Sequence, residues 1–244
     1  MEHIKSKFRT FIAGYYHLLL LWLVALFIFR PFTHQVFYVG GWKLCLSLVI
    51  LSSIFNIHHT PTVKTIASCL AVPAVILSWL DLAYPGPLFF ISNAFVTALF
   101  LFICTMSILY DVVLRAKVTL ETLRGVICAY FMIAFAFAYS YYLVEYIFPN
   151  SFHLAGSPAS IYDYAHYFSQ FLYFSFGTLL AIGYGDITAL KSVGQTLAIL
   201  EGIIGQFYIA ILVARIVSVY SFYAHKERAE ITSEPVQPRH QRQS

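Results

Sequence analysis

Long apolar stretches, separated by short polar segments, dominate the pattern of this chain. A helix needs about 20 mostly apolar residues to cross the hydrocarbon core of a bilayer. Six stretches approach or reach that length: Phe11–Phe29, Trp42–Ile57, Ile66–Tyr84, Leu88–Tyr110, Gly125–Phe148 and Val193–Tyr220. The pattern therefore predicts an all-α integral membrane protein with six transmembrane helices. The second of these is short, and Pro73 is expected to bend the third.

A further apolar segment lies between the fifth and sixth predicted spans and ends in a different way. Residues Tyr162 to Leu180 are aromatic and apolar, but Gly183-Tyr184-Gly185 follows and cannot continue a helix. We expect a helix that enters the membrane, stops inside it and leads into non-helical backbone. Such backbone is tolerated at membrane depth only where protein buries it or where it lines a watery cavity. The segment therefore predicts a re-entrant pore helix and a pore-lining loop.

The distribution of Lys and Arg predicts the orientation, because cytoplasmic loops carry an excess of these residues. With six crossings both termini lie on one side. If that side is the cytoplasm, the outer side keeps only Arg30, Lys43 and Lys191. From Gly125 to Leu190 there is no Lys or Arg. We therefore expect a multi-pass protein of the cell membrane with both termini cytoplasmic and the re-entrant segment on the outer face.

Composition narrows the class of protein. Hydrophobic residues make up 60% of the 244 residues and charged residues only 11%, too few to cover a soluble domain, so the lipid bilayer is the expected environment. The net charge of +4 is small and scattered, which argues against a nucleic-acid partner. The four cysteines sit in apolar stretches and predict no disulfide.

The stretch from Thr178 to Asp186, the filter-like segment, reads Thr-Leu-Leu-Ala-Ile-Gly-Tyr-Gly-Asp. It resembles the selectivity filter of potassium channels, whose usual core is Thr-Val-Gly-Tyr-Gly followed by Asp. A pore that strips water from K⁺ must replace the hydration shell with rings of backbone carbonyl oxygens. Alternate residues then take conformations that glycine adopts cheaply. The resemblance covers roughly Gly125 to Tyr223 and implies a homotetramer around one pore.

The resemblance also implies roles for individual residues. The ion-binding carbonyls would belong to Ala181, Ile182, Gly183, Tyr184 and Gly185. Thr178 and Asp186 would support the filter or its outer mouth, where Glu145 and Asp163 lie in the same Lys-free region. On the last helix, family alignment assigns a hinge to Gly205, the cavity to Gln206, Ile209 and Val213, and the inner gate to Ala214 and Val217. No cofactor is implied beyond K⁺ ions in the filter.

Glu201 lies one turn before Gly205, near the middle of the sixth predicted span. An ionisable residue at that depth is by default a functional hypothesis. One interpretation is gating, or tuning of the ion path by a changeable charge. The other is a protonated or hydrogen-bonded carboxyl that packs the inner helix against the pore helix, and we favour this second interpretation.

Two departures from the family's pattern qualify the resemblance. Ala181 stands where the family normally has Thr, whose hydroxyl completes the innermost ion site, so that site should be weaker and less selective. Gly177 stands where some members carry a buried Glu paired with the filter aspartate. Conduction should survive, but inactivation that depends on such a pair is not carried over.

The predicted domains are a cytoplasmic N-terminus (1–10), a four-helix sensor-like domain (11–118), a pore domain (119–223) and a disordered tail (224–244). Classical voltage gating is not expected, because Leu88–Tyr110 contains no Lys or Arg. Asp81 and Asp111, at the ends of predicted helices, are expected to be solvated. His58 and His59 do not predict a metal site, since no carboxylate or Cys lies nearby in sequence.

The leading interpretation is a potassium-selective tetrameric channel. A weakly selective monovalent cation channel and a non-conducting channel-like subunit remain as alternatives. Transporters of the related type carry several pore-loop repeats in one chain, whereas this chain has one. A membrane enzyme has little support, since no nucleophile–base pair, metal-ligand spacing or phosphate-binding loop is present.

Overall fold

The computed structural model describes residues 15–29, 36–57, 61–84, 86–114, 120–154 and 164–233. Within these ranges the chain forms seven helices and one pair of short strands. The helices are α1 Tyr15–Phe29, α2 Val36–Phe55, α3 Pro61–Ala83, α4 Pro87–Leu114, α5 Leu120–Ile147, α6 Tyr164–Leu179 and α7 Ser192–Ser233. The strands are β1 Phe152–His153 and β2 Thr188–Ala189. The predicted all-helical membrane fold is thus confirmed for the described residues, apart from this strand pair.

Among the described residues, four helices are long and apolar enough to cross a membrane, judged by length and composition. The qualifying stretches are Pro61–Ala83, Leu88–Val112, Glu121–Ile147 and Ser192–Arg215. Shorter apolar helical stretches, Tyr16–Ile28 and Gly40–Phe55, lie where the first two spans are predicted. These features support a multi-pass membrane protein.

The helix boundaries have simple local causes. Both α3 and α4 begin with proline, at Pro61 and Pro87, where the missing N–H group has no intrahelical partner to lose. Pro73 lies inside α3 without ending it. Helix α2 begins at Val36, before the predicted start at Trp42. It includes Gly40, since a glycine weakens a helix without terminating it.

Helix α5 forms the centre of the packing. It contacts α1, α4 and α6, and all its side chains from Met132 to Tyr139 are buried. Its rings meet those of neighbouring helices: the Tyr139 and Phe168 centroids are 4.4 Å apart, and those of Phe135 and Trp42 are 6.1 Å apart. Buried alanines between these rings let the helix backbones approach closely. Helix α6, which leads into the filter-like segment, therefore packs against α5.

Two carboxylates expected to be solvated are instead buried. Lys43 Nζ donates to Asp81 Oδ2 and to the Ser78 carbonyl oxygen, both at 2.7 Å. The Tyr16 hydroxyl donates to Asp111 Oδ2 at 2.7 Å. The expectation for Asp81 and Asp111 is thus wrong, because each carboxylate accepts a hydrogen bond from a residue on another helix. The positions of the two aspartates in the sequence do not reveal these donors.

The chain divides into two compact units, and the predicted domain boundaries stay predictions. The residues up to Gln206 form one compact unit and those from Phe207 onward a second. The first unit joins the predicted sensor-like segment to most of the pore segment, because α4 packs along α5. Helix α7 continues to Ser233, past residue 224 where the tail was predicted to become disordered. Residues 1–14 and 234–244 lie outside the described ranges.

Candidate functional site

The filter-like segment begins where α6 ends in a Schellman motif. The N–H of Ala181 donates to the carbonyl of Thr178 at 3.0 Å, and the N–H of Ile182 donates to that of Gly177 at 2.8 Å. This pair of bonds defines the motif, in which one residue beyond the helix takes a left-handed conformation. That residue is Ala181, with a φ of 54°. The N–H of Gly183 also donates to Gly177, at 3.3 Å.

The backbone then alternates. Gly183 has a φ of 60° and Gly185 a φ of 82°, whereas the intervening Ile182 and Tyr184 do not have positive φ. A Cβ atom on either glycine would meet nothing within 4 Å. The positive φ, and not a lack of space, therefore favours glycine at these positions. Ala181 also has positive φ, at a cost of about 1 kcal/mol. Sequence reasoning missed this conformation.

The alternation leaves a row of carbonyl oxygens without partners inside the chain. In the described part of the chain, no hydrogen bond is accepted by the carbonyl oxygens of Ala181 to Gly185. Every residue from Leu180 to Asp186 is exposed in the single chain. Backbone oxygens are ligands for hard monovalent cations, and rings of them can replace a hydration shell. No cluster of three His, Cys, Asp or Glu side chains suited to a metal ion occurs among the described residues.

An aromatic stack between α6 and the filter-like segment supports that segment. The rings of Tyr184 and Tyr173 are stacked, with centroids 5.5 Å apart and planes 9° apart. A cavity of about 30 Å³ lies between α6 and the segment, with Thr178 and Asp186 in its wall. That volume has room for one water molecule. Gly177 adds no side chain here, and a Cβ on it would lie 3.9 Å from the Tyr184 ring.

A short antiparallel pairing fixes the other end of the segment. Strands β1 and β2 pair Phe152 with Ala189 and His153 with Thr188. The N–H of Leu190 donates to the carbonyl of Ser151 at 2.7 Å. The chain that follows Asp186 is therefore tied to the turn that follows α5.

The acidic residues expected around the mouth separate into different environments. Asp186 is exposed, and its Oδ1 accepts the N–H of Ile187 at 3.0 Å. Glu145 is buried, and its carboxylate accepts the N–H groups of Asn150, Ser151 and Phe152 at 2.8 to 3.0 Å. Backbone amides of its own turn therefore bind Glu145, a set of partners that sequence reasoning missed. Asp163 lies outside the described residues.

Glu201 lies fully buried where α7 meets α5 and α6. Its Oε2 accepts the hydroxyl of Tyr141, and its Oε1 lies within hydrogen-bond distance of the Ser175 hydroxyl. Neither partner was singled out from the sequence, although a buried hydroxyl in an apolar helix signals that a partner is needed. The carboxyl thus sits in a helix-packing position.

Gly205 lies one turn further along α7, against the end of α6. A Cβ on Gly205 would overlap the carbonyl oxygen of Leu179 and lie 3.0 Å from Leu179 Cδ1. The same carbonyl oxygen accepts the hydroxyl of Tyr130 at 3.2 Å. Close packing therefore requires glycine at position 205, in addition to any role as a hinge.

The other candidate residues of α7 are exposed in the single chain. Gln206 is exposed and is the last residue of the first compact unit. In the second unit, Ile209 and Val213 are four residues apart and Ala214 and Val217 three apart, spacings that share a helix face. Much of the rest of α7 is apolar and exposed too, including Ile199, Leu200, Ile203, Phe207 and Ile211.

Comparison with known proteins gives one match. Residues 127–222 match the model of a family described as "Ion channel". The matched segment holds most of α5, all of α6, the filter-like segment and much of α7, and is less than half of the chain. No curated protein and no solved structure matches. Together with the membrane-length helices, the match supports a multi-pass ion channel, a class that moves ions and does not catalyse a reaction.

Proposed function

We propose that this chain is one subunit of a homotetrameric, potassium-selective channel of the cell membrane, through which dehydrated K⁺ flows passively. The observation that carries the proposal is the alternating backbone of the filter-like segment. Ala181, Gly183 and Gly185 have positive φ, and the carbonyl oxygens from Ala181 to Gly185 accept no hydrogen bond in the described part of the chain. Such a row suits successive binding sites for a cation that has lost its water.

Exposure of this segment supports an assembly of several copies. Non-helical backbone in contact with lipid would leave polar groups unsatisfied, each at a cost of several kcal/mol. The single chain leaves residues 180–186 exposed, along with much of the apolar surface of α7. Four copies around one axis would bury α7 and give the carbonyl oxygens an aqueous ion path. The number four follows from the resemblance of the segment to potassium channel filters.

The remaining elements have proposed roles in this assembly. Six spans would place both termini in the cytoplasm and the filter-like segment on the outer side. Gln206, Ile209 and Val213 would line the cavity below the filter, while Ala214 and Val217 would form an apolar constriction that gates by dewetting. Gly205 would be the hinge. Classical voltage gating is not proposed, because α4 carries no Lys or Arg within its membrane-length stretch.

A weakly selective monovalent cation channel is the second candidate, and Ala181 is the observation that favours it. Its methyl group offers no oxygen where the family's usual Thr supplies a hydroxyl. The backbone carbonyl of Ala181 remains, so the innermost site would be weakened and not lost. A measured ratio of K⁺ to Na⁺ permeability separates the two candidates.

Ion flux from proteoliposomes tests the proposal. Vesicles loaded with K⁺ are diluted into Na⁺ buffer, and K⁺ efflux is followed with a potassium-sensitive dye. We expect efflux from wild-type vesicles and its loss in Gly183→Ala, where a side chain must adopt positive φ. Gly40→Ala, in helix α2 with nothing within 4 Å of the added Cβ, is the matched control and should keep the flux. Equal flux from wild type and Gly183→Ala would contradict the assigned ion path.

A further inference from the structure

The hydroxyl of Ser175 has two oxygen neighbours and only one hydrogen to give. Its Oγ lies 2.8 Å from the carbonyl oxygen of Ala134 on α5, and it also lies within hydrogen-bond distance of Glu201 Oε1. On the other side of the carboxyl, the Tyr141 hydroxyl faces Oε2. All four groups are buried. Counting hydrogens over these contacts distinguishes the two forms of the carboxyl.

If Glu201 were a carboxylate, it could only accept. Ser175 would then donate either to Glu201 or to Ala134, and its other short contact would set one oxygen lone pair against another. If Glu201 carries a proton on Oε1, every contact has one hydrogen. Tyr141 then donates to Oε2, Oε1–H donates to Ser175 Oγ, and Ser175 donates to the Ala134 carbonyl.

We infer that Glu201 is held as a neutral carboxylic acid, the central member of a hydrogen-bond chain that runs from Tyr141 through Glu201 and Ser175 to Ala134. The chain begins and ends on α5 and passes through α7 and α6, so it fixes the position of α6 relative to both neighbours. Ser175 lies one turn before Leu179, whose carbonyl oxygen contacts Gly205. Glu201 is therefore a positioning residue for the helix that leads into the filter-like segment.

The surroundings agree with a neutral acid. Among the described residues, no ion pair involves Glu201. A buried carboxylate without a cation is costly, whereas a fully satisfied neutral network rigidifies the site it occupies. Glu145 provides the contrast, because its carboxyl oxygens accept three backbone N–H groups. The inference goes beyond the proposed channel function and does not depend on which ion is conducted.

Infrared spectroscopy of the reconstituted protein tests the inference at neutral pH. Protein labelled with ¹³C at the glutamate carboxyl carbons should show a protonated-carboxyl C=O band that moves with the label. The band should disappear in Glu201→Gln and persist in Glu145→Gln. A labelled wild-type protein without the band, or a band that survives Glu201→Gln, would overturn the inference. The wild-type spectrum decides the first point even if a variant fails to fold, and neither outcome depends on ion flux.

A second measurement separates the neutral form from a charged one through stability. Gln can accept from Tyr141 and donate to Ser175 as the neutral acid does, so Glu201→Gln should keep the folded fraction after mild heating in detergent within about twofold of wild type. Glu201→Leu leaves the Tyr141 hydroxyl without its acceptor and Ser175 Oγ without its donor, and should lower that fraction about tenfold. A Glu201→Gln variant as unstable as Glu201→Leu would contradict the inference.

Discussion

Gly205 on α7 lies directly against the backbone carbonyl oxygen of Leu179, the last residue of α6, and a methyl group on Gly205 would overlap that oxygen. The contact places α7 at the point where α6 gives way to the filter-like segment. Tyr130 on α5 donates to the same oxygen at 3.2 Å. Three helices therefore meet at one carbonyl group, directly before the filter-like segment.

Alanine substitutions on α7 test this contact. Gly205→Ala should lower the free energy of unfolding by about 1–3 kcal/mol, the usual cost of overpacking. Gly202→Ala, three residues earlier on the same helix, has nothing within 4 Å of the added Cβ and should be neutral or slightly stabilising. Thermal unfolding in detergent compares the two variants. Equal midpoints would show that the Leu179 contact does not constrain position 205.

The left-handed conformation of Ala181 predicts a difference between two substitutions there. Ala181→Gly should stabilise the protein by up to about 1 kcal/mol, because glycine reaches positive φ without a Cβ penalty. Ala181→Val should destabilise it, because a β-branched side chain disfavours that region. Chemical unfolding of both variants provides the measurement. A more stable Val variant would argue against the Schellman motif at the end of α6.

The stack of Tyr184 on Tyr173 predicts that the ring matters more than the hydroxyl at position 184. Tyr184→Phe should keep wild-type ion flux, whereas Tyr184→Leu should weaken the brace, since aromatic pairs contribute about 0.5–1.5 kcal/mol beyond area burial. Flux from proteoliposomes compares the two. Loss of flux in Tyr184→Phe would show that the hydroxyl at position 184 is required and would contradict this prediction.

The buried pair of Lys43 and Asp81 predicts strong coupling between the two residues. Removing either partner alone, as in Lys43→Met or Asp81→Leu, should cost about 3–5 kcal/mol because the other charge stays buried. The double variant should recover most of that loss, since a hydrophobic pair of similar volume packs without desolvation. A double-mutant cycle of unfolding free energies measures the coupling. If the losses of unfolding free energy in the two single variants simply added in the double variant, the predicted coupling would be contradicted.

Local rules were enough to predict part of this molecule from sequence. Apolar length predicted the membrane-length helices, and the spacing of Gly183 and Gly185 predicted alternate residues with glycine-like conformations. The positive φ of Ala181 was missed because it arises from the hydrogen bonds that end α6, and alanine gives no signal of its own for it.

What sequence reasoning missed depends on contacts between distant segments. The partners of Glu201 lie 26 and 60 residues away, and Asp81 finds Lys43 at a separation of 38. Glu145 was grouped with Asp186 by the shared lack of basic neighbours, yet backbone amides of its own turn bind it. Gly205 was selected as a hinge by alignment, and only the packed helices reveal its contact with Leu179.

The reversal potential under bi-ionic conditions tests the central claim most directly. Purified protein in a planar bilayer is measured with K⁺ on one side and Na⁺ on the other, alongside Gly183→Ala and Gly185→Ala. The account predicts a wild-type reversal near the K⁺ equilibrium value and loss of that current in both variants. A reversal near zero would contradict potassium selectivity and favour the weakly selective channel. A current that both glycine variants leave unchanged would contradict the ion path through Ala181 to Gly185.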